Sequence, residues 1–218
     1  MKLKSALHVA ALLALALAAA CGKGDEKAAK DADADGVTAE VKKGVKPEPD
    51  AQAAVIETDY GRIVIELYPN LAPQMVERFK SLAAQKFYDG TAIHRIDPEL
   101  GIIQGGDPNS KDDIPENDGM GSSGPPNLPA EFSDILYERG TVGAARAQDE
   151  NSANCQFYVT LKRQPAFDNR YTVFGRVIEG ITNADIIAGA PVAEGAQDRP
   201  AERITVKSVT LAPRSDFK

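Results

Sequence analysis

The sequence predicts a mainly β domain, either closed on itself or folded as a sandwich. Short runs of β-prone apolar residues recur from Val55 onward, turns rich in Gly and Pro separate them, and clear helical periodicity is confined to one segment. At 218 residues, 43% of them hydrophobic and 26% charged, the chain is long enough for one core and an appendage.

The appendage comes first. Residues 1–20 place Lys2 and Lys4 ahead of the apolar run VAALLALALAAA, which has the length of a signal-peptide core and is short for a membrane span. Ala18, Ala19 and Ala20 directly before Cys21 resemble a bacterial lipoprotein processing site, in which Cys21 is acylated; ordinary signal cleavage with Cys21 incidental is the alternative. Residues 21–53 are rich in Lys, Asp, Ala and Gly, and their few large apolar side chains cannot offset the entropy of ordering, so they are expected to form a disordered tether. Asp31, Asp33, Asp35 and Gly36 repeat half of a calcium loop, but Lys42 stands where the bidentate glutamate is needed; no metal is expected there.

The domain is expected over residues 54–213. Val55 and Ile56, a turn through Asp59, Tyr60 and Gly61, and alternating Ile63, Ile65 and Leu67 predict a β-hairpin. Met75, Val76, Phe79, Leu82 and Ala83 then recur at helical spacing after Pro73, predicting an amphipathic helix. Strand-like runs follow at 101–104, 141–145, 156–160, 172–177 and 204–211, and a second, short helix is expected over 131–139 on an apolar face of Phe132, Ile135 and Leu136. Residues 107–130 form a long loop whose acids are interrupted by Pro108 and Pro115, which favours a solvated loop over a metal site. A disulfide between Cys21 and Cys155 would tie a tail to a core strand and is not expected; Cys155 is read as a small buried apolar residue.

The chemistry concentrates in residues 87–108, FYDGTAIHRIDPELGIIQGGDP. This stretch delivers an imidazole, a guanidinium and a carboxamide (His94, Arg95, Gln104) close together, and Gly105 and Gly106 then allow an approach that a side chain would prevent. His94 is the only histidine after the apolar leader, which excludes a multi-histidine metal site and a histidine-pair acid–base mechanism. The net charge of −7 argues against nucleic acid as a partner.

This stretch resembles the signature of the cyclophilin family of peptidyl-prolyl cis-trans isomerases. Residues 144–160, AARAQDENSANCQFYVT, resemble the family's second signature, and 167–180, FDNRYTVFGRVIEG, follow at the expected place. The resemblance implies an eight-stranded antiparallel β-barrel capped by two helices, with cis-trans isomerisation of X–Pro bonds as its activity and no cofactor. By position it implies Arg95 as the catalytic arginine and Gln104 as the glutamine that orients it and contacts substrate backbone, with Gln156 as the counterpart of Gln104 in the second signature. His94 is implied to line the pocket, Ile102, Tyr158, Phe167 and Tyr171 to form the proline socket, and Ala145, Arg146 and Ala147 to run beside the substrate backbone. The family's socket phenylalanine falls on Gly101, so the socket is expected to be shallower or filled by Leu100. The tryptophan with which many members hold the cyclic peptide cyclosporin falls on Ala166, and weak cyclosporin binding is expected.

Together these readings describe a monomeric isomerase of exported, proline-containing polypeptides, assisting their folding at the periplasmic face of a bacterial envelope and anchored by lipid on Cys21. Two other classes stay open: a proline-peptide-binding chaperone module with little turnover, and an envelope lipoprotein whose barrel is only a scaffold. Intact Arg95, Gln104, Gln156 and Phe167 favour the enzyme.

Overall fold

Strand alternation decides this architecture. In the computed structural model, which describes residues 39–218, eight strands form one sheet: β1 (Gln52–Thr58), β2 (Gly61–Leu67), β3 (Ile93–Asp97), β4 (Ile102–Gly105), β5 (Thr141–Ala144), β6 (Phe157–Thr160), β7 (Val173–Glu179) and β8 (Val206–Pro213). Their order is β3-β4-β6-β5-β7-β2-β1-β8, with every pair antiparallel. The two ends of that order meet. Ile93 N–H donates to Ile204 O (2.9 Å), Val206 N–H to Thr91 O (2.8 Å) and Gly90 N–H to Val206 O (2.8 Å), which curls the sheet round into a barrel.

The inward side chains of the strands share one core with both helices. α1 (Pro73–Ala84) contributes Met75, Val76, Phe79, Leu82 and Ala83, and α2 (Ile181–Ala188) contributes Ala184 and Ile187. Phe79 is central: its ring lies 5.1 Å from Tyr88, 5.5 Å from Phe174 and 5.6 Å from Phe157 between centroids. Cys155 is also in this core as a free thiol, its pKa pushed up to about 11 by burial, in keeping with an inert apolar role. A second cluster lies on the opposite face of β4, β6 and β7, because successive residues of a strand point to opposite sides. Ile103, Phe157 and Phe174 belong to the core, whereas their neighbours Ile102, Tyr158 and Val173 belong to the outer cluster. The functional groove is built there, on the outside of the barrel.

Three expectations are corrected. Residues 131–139 are not helical, because their backbone groups are claimed by other segments: Phe132 O accepts from Lys42 N–H, Asp134 N–H donates to Lys42 O, and Tyr137 N–H donates to Asp168 Oδ1. Phe132 and Tyr137 are buried while Leu136 is exposed, which breaks up the expected apolar face. The second helix is α2. Its eight residues, ITNADIIA, are β-branched at several positions and too short to show periodicity. β3 had no strand signal of its own beyond Ile93 and Ile96, and it is this strand that carries His94 and Arg95.

The tether is the third correction, for its second half. Lys42 Nζ donates to Leu71 O, Gly44 N–H to Asp134 Oδ2, and Asp50 forms an ion pair with Lys80 at 2.9 Å, so residues 42–50 run along the domain as a polar strap. Polar bonds hold it together with Val45, which packs against the outer apolar cluster. At the other end the chain continues past β8, and Arg214 reaches back to Glu66 at 3.0 Å. The leader, Cys21 and the Asp31–Asp33–Asp35–Gly36 motif lie outside the described residues.

Candidate active site

β3 and β4 pair antiparallel, and their register sets Arg95 directly opposite Gln104. The next strand, β6, brings Tyr158 opposite Gln104. Residues from three strands thus become neighbours on one outward face. The glycines that end β4 make this possible: a Cβ on Gly105 would come within 2.9 Å of Ile93, and one on Gly106, whose φ is +90°, would meet Cys155 O at 2.8 Å.

The groove on this face encloses about 540 Å³ and is lined by His94, Arg95, Ile102, Gln104, Ala145, Arg146, Tyr158, Phe167 and Tyr171. A neighbouring cavity of about 360 Å³ shares Gln104, Ala145 and Arg146 and adds Ala147 and Gln156. Every site residue that the sequence singled out within the domain therefore lines one or both of these two neighbouring cavities. Cys21 is outside the described residues.

One wall is apolar. Tyr158, Phe167 and Tyr171 pack with edge-on or tilted rings, at 5.7 Å for Tyr158–Phe167, 6.1 Å for Tyr158–Tyr171 and 4.9 Å for Phe167–Tyr171. Behind them Tyr137 stacks on Tyr158 and their hydroxyls are hydrogen bonded at 3.1 Å, so the one polar atom of the buried Tyr158 is satisfied. Leu100 completes the wall, packing against this cluster with Ile102. The next residue, Gly101, takes a left-handed conformation (φ +64°) close against the Lys162 side chain.

The opposite wall is polar. Arg95 donates from Nη2 to Asp97 at 2.8 Å, from Nε to Asp198 at 2.6 Å, and from Nη1 to Gln104 Oε1 at 3.4 Å. Gln104 Nε2 in turn donates to Gln156 Oε1 (3.0 Å), and Gln156 Nε2 donates to Gly119 O and Gly121 O (both 3.0 Å). A chain of directed bonds thus runs from the guanidinium to the long loop. Buried Asp107 fixes that loop by accepting from Asn109 N–H and Gly119 N–H. His94 is also buried, and burial holds its pKa below the ordinary imidazole value. It is a neutral wall residue at pH 7.

Arg146 folds back onto the surface. Its guanidinium lies 4.5 Å above the Tyr171 ring and donates to Ala147 O and Gln148 O, and so braces the socket. The amides of Ala145 and Ala147 already donate to Gln156 O and Ser152 Oγ.

Sequence reasoning missed the acidic partners of Arg95 and part of the groove rim. Asp97 was detectable in principle, since residues two apart on a strand share a face. Asp198 and Arg199 come from a loop more than a hundred residues away and Asp118 from the long loop, and no local pattern announces any of them. Burial raises the Asp118 pKa, reinforced by the nearby charge of Asp107.

Comparison with known proteins gives a consistent result. The family model described as cyclophilin type peptidyl-prolyl cis-trans isomerase/CLD matches residues 53–211. A probable peptidyl-prolyl cis-trans isomerase of Brucella suis is 37% identical over 151 residues, spanning 67% of this chain and 76% of the relative. Peptidyl-prolyl cis-trans isomerase ppi1 of Schizosaccharomyces pombe is 32% identical over 163 residues, spanning 72% of this chain and 97% of its own. Among solved structures, the cyclophilin type isomerase of Cryptosporidium parvum, crystallised in the presence of the dipeptide Ala-Pro, superposes with a TM-score of 0.65 at 25% identity, covering 74% of this chain and 99% of the other.

Proposed function

We propose that this chain, which belongs to the cyclophilin-type peptidyl-prolyl cis-trans isomerase family and is such an isomerase, acts on exported polypeptides and assists their folding at the bacterial envelope. The reaction rotates an X–Pro peptide bond, whose barrier of about 18–20 kcal/mol comes from amide resonance. No bond is made or broken, so the site needs neither nucleophile nor proton donor. It needs a socket for the ring, a hold on the flanking backbone, and a donor that favours the twisted bond.

The observation that carries the residue assignments is Arg95 held rigidly across the groove from the Leu100–Ile102–Tyr158–Phe167–Tyr171 wall. A proline ring in that wall would bring its nitrogen towards the guanidinium. As the amide twists, resonance is lost and the nitrogen regains a lone pair that an N–H can meet. Arg95 therefore stabilises the twisted state more than either planar state, the condition for lowering a barrier. Gln104 orients Arg95 and contacts substrate backbone, with Gln156 behind it, while His94 contributes an uncharged face. The presence of Ala-Pro with the Cryptosporidium relative supports a proline dipeptide as the minimal ligand here as well.

The leader and Cys21 support the export and anchoring part of this reading. An NMR exchange assay on an Ala-Pro peptide tests the activity. Catalysed exchange lost with Arg95→Ala supports the assignment, and catalysis indifferent to Arg95 overturns it.

A further inference from the structure

Asp198 belongs to neither signature, yet it is the nearest partner of the residue assigned to catalysis. The loop that carries it is a small hairpin, joined where Val192 bridges Pro200, Ala193 N–H donates to Arg199 O (2.9 Å) and Ala201 N–H to Pro191 O (2.7 Å). Asp198 fastens this hairpin to β3 twice. Its carbonyl accepts from Ile96 N–H at 2.7 Å, and its Oδ2 accepts from Arg95 Nε–H at 2.6 Å.

These two bonds give the carboxylate a fixed position relative to the backbone of Arg95. Asp198 accepts from the Nε–H of the guanidinium and Asp97 from an N–H of Nη2. Held by carboxylates at two of its three nitrogens, the guanidinium is restrained from rotating, and Nη1 donates to Gln104, which lines the groove. Asp97 also accepts from Leu100 N–H through its other oxygen, which couples the same grip to the socket wall (2.9 Å).

Stability is a poor explanation for the pair. The Arg95 and Asp198 side chains are about one-third exposed (32% and 34%), and exposed ion pairs contribute little to folding. Direction is what an acceptor at Nε changes: an arginine free to swing would present its groove-side donors only part of the time, and the barrier would be lowered only in that fraction of encounters.

We propose that Asp198 is a positioning residue for isomerisation, holding the Arg95 guanidinium by its Nε–H so that the opposite donors face the bound prolyl bond. The inference rests on the assignment of Arg95 given above.

A double-mutant cycle with a spectroscopic readout tests it. Asp198→Ala removes both acceptor oxygens of the side chain and leaves the backbone bond to Ile96. It is expected to lower kcat about tenfold, ~1.4 kcal/mol, with KM changed less than about threefold. In an Arg95→Ala background the same substitution is expected to change turnover by less than about twofold. By NMR, the Arg95 Nε–H proton of the unsubstituted enzyme should exchange with water at least about tenfold more slowly than that of the exposed Arg170, and Asp198→Ala should remove this protection. That first comparison needs no variant and stands even if Asp198→Ala folds poorly. Unchanged kcat in Asp198→Ala, an equal loss in the Arg95→Ala background, or no protection of Nε–H each overturns the proposal. Undiminished turnover in Arg95→Ala alone would strike the assignment of Arg95 itself, and Asp198 with it.

Discussion

Arg95 acts through the direction of its donors, and three acceptors fix that direction. Arg95→Ala removes the donor and leaves the apolar wall in place, so the variant is expected to fold and bind proline peptides while losing about a hundredfold in kcat, ~3 kcal/mol of barrier lowering. Peptide exchange rates together with a circular dichroism melt check both halves. His94 makes the complementary point. Burial lowers its folded-state pKa below 6.5, although nearby Asp107 pulls the other way. The stability contributed by the neutral ring is therefore complete above the unfolded value near 6.5 and is lost as pH falls from there through the lower folded value. An NMR titration of the His94 ring should give a midpoint below 6.5, and a midpoint at or above it would contradict the burial account.

Among the elements, α1 shows how a helix can be finished from elsewhere in the chain. Ala72 at its N-cap offers no side-chain acceptor; instead the buried carboxylate of Glu131 accepts from Gln74 N–H at 3.1 Å and Met75 N–H at 3.0 Å. This also explains part of the non-helical path of 131–139, because a helix starting at Glu131 would carry its carboxylate away from α1. Glu131→Ala leaves two amides short of an acceptor and is expected to destabilise the fold by about 2 kcal/mol, measured by urea unfolding. An unchanged midpoint would mean that water replaces the carboxylate without loss. The turn Pro165–Phe167 raises a different question. Ala166 sits exposed on it at the edge of the groove, with neither an indole N–H nor a broad apolar face to offer. Cyclosporin is accordingly expected to inhibit weakly, and Ala166→Trp to strengthen inhibition at least about tenfold while isomerisation stays within a factor of a few. Tight inhibition of the unmodified enzyme would show that this turn does not correspond to the family's tryptophan position.

For the molecule as a whole, the open matter is where the barrel works. Residues 1–20 have the layout of an export leader, Cys21 follows three alanines, and the polar strap over 42–50 holds the start of the domain. If Cys21 carries the lipid, Cys21→Ser should move the protein from the membrane fraction to the soluble one while leaving peptide isomerisation unaltered. Retention of the variant in the membrane fraction would rule out the lipid anchor.

What the sequence determined by itself was local or carried by motif. The β1–β2 hairpin and α1 were legible because alternation and helical spacing are properties of neighbouring residues, and His94, Arg95, Gln104, Gln156 and Phe167 were legible because they stand in contiguous signatures. The Gly101 departure led to the expectation of a socket that is shallower or filled by Leu100, and Leu100 packs against the outer cluster and lines the groove. Tertiary structure alone decided the rest. The non-helical path of 131–139 follows from hydrogen bonds to Lys42 and Asp168, α2 is too short to leave a period, and the strap is held by polar contacts and by Val45, none of which composition reveals. Above all, the acid that grips Arg95 at Nε arrives from 103 residues further along the chain. Periodicity and spacing describe what a segment can bury or present, but an ion pair across such a separation exists only once barrel closure has brought the hairpin at 191–201 against β3.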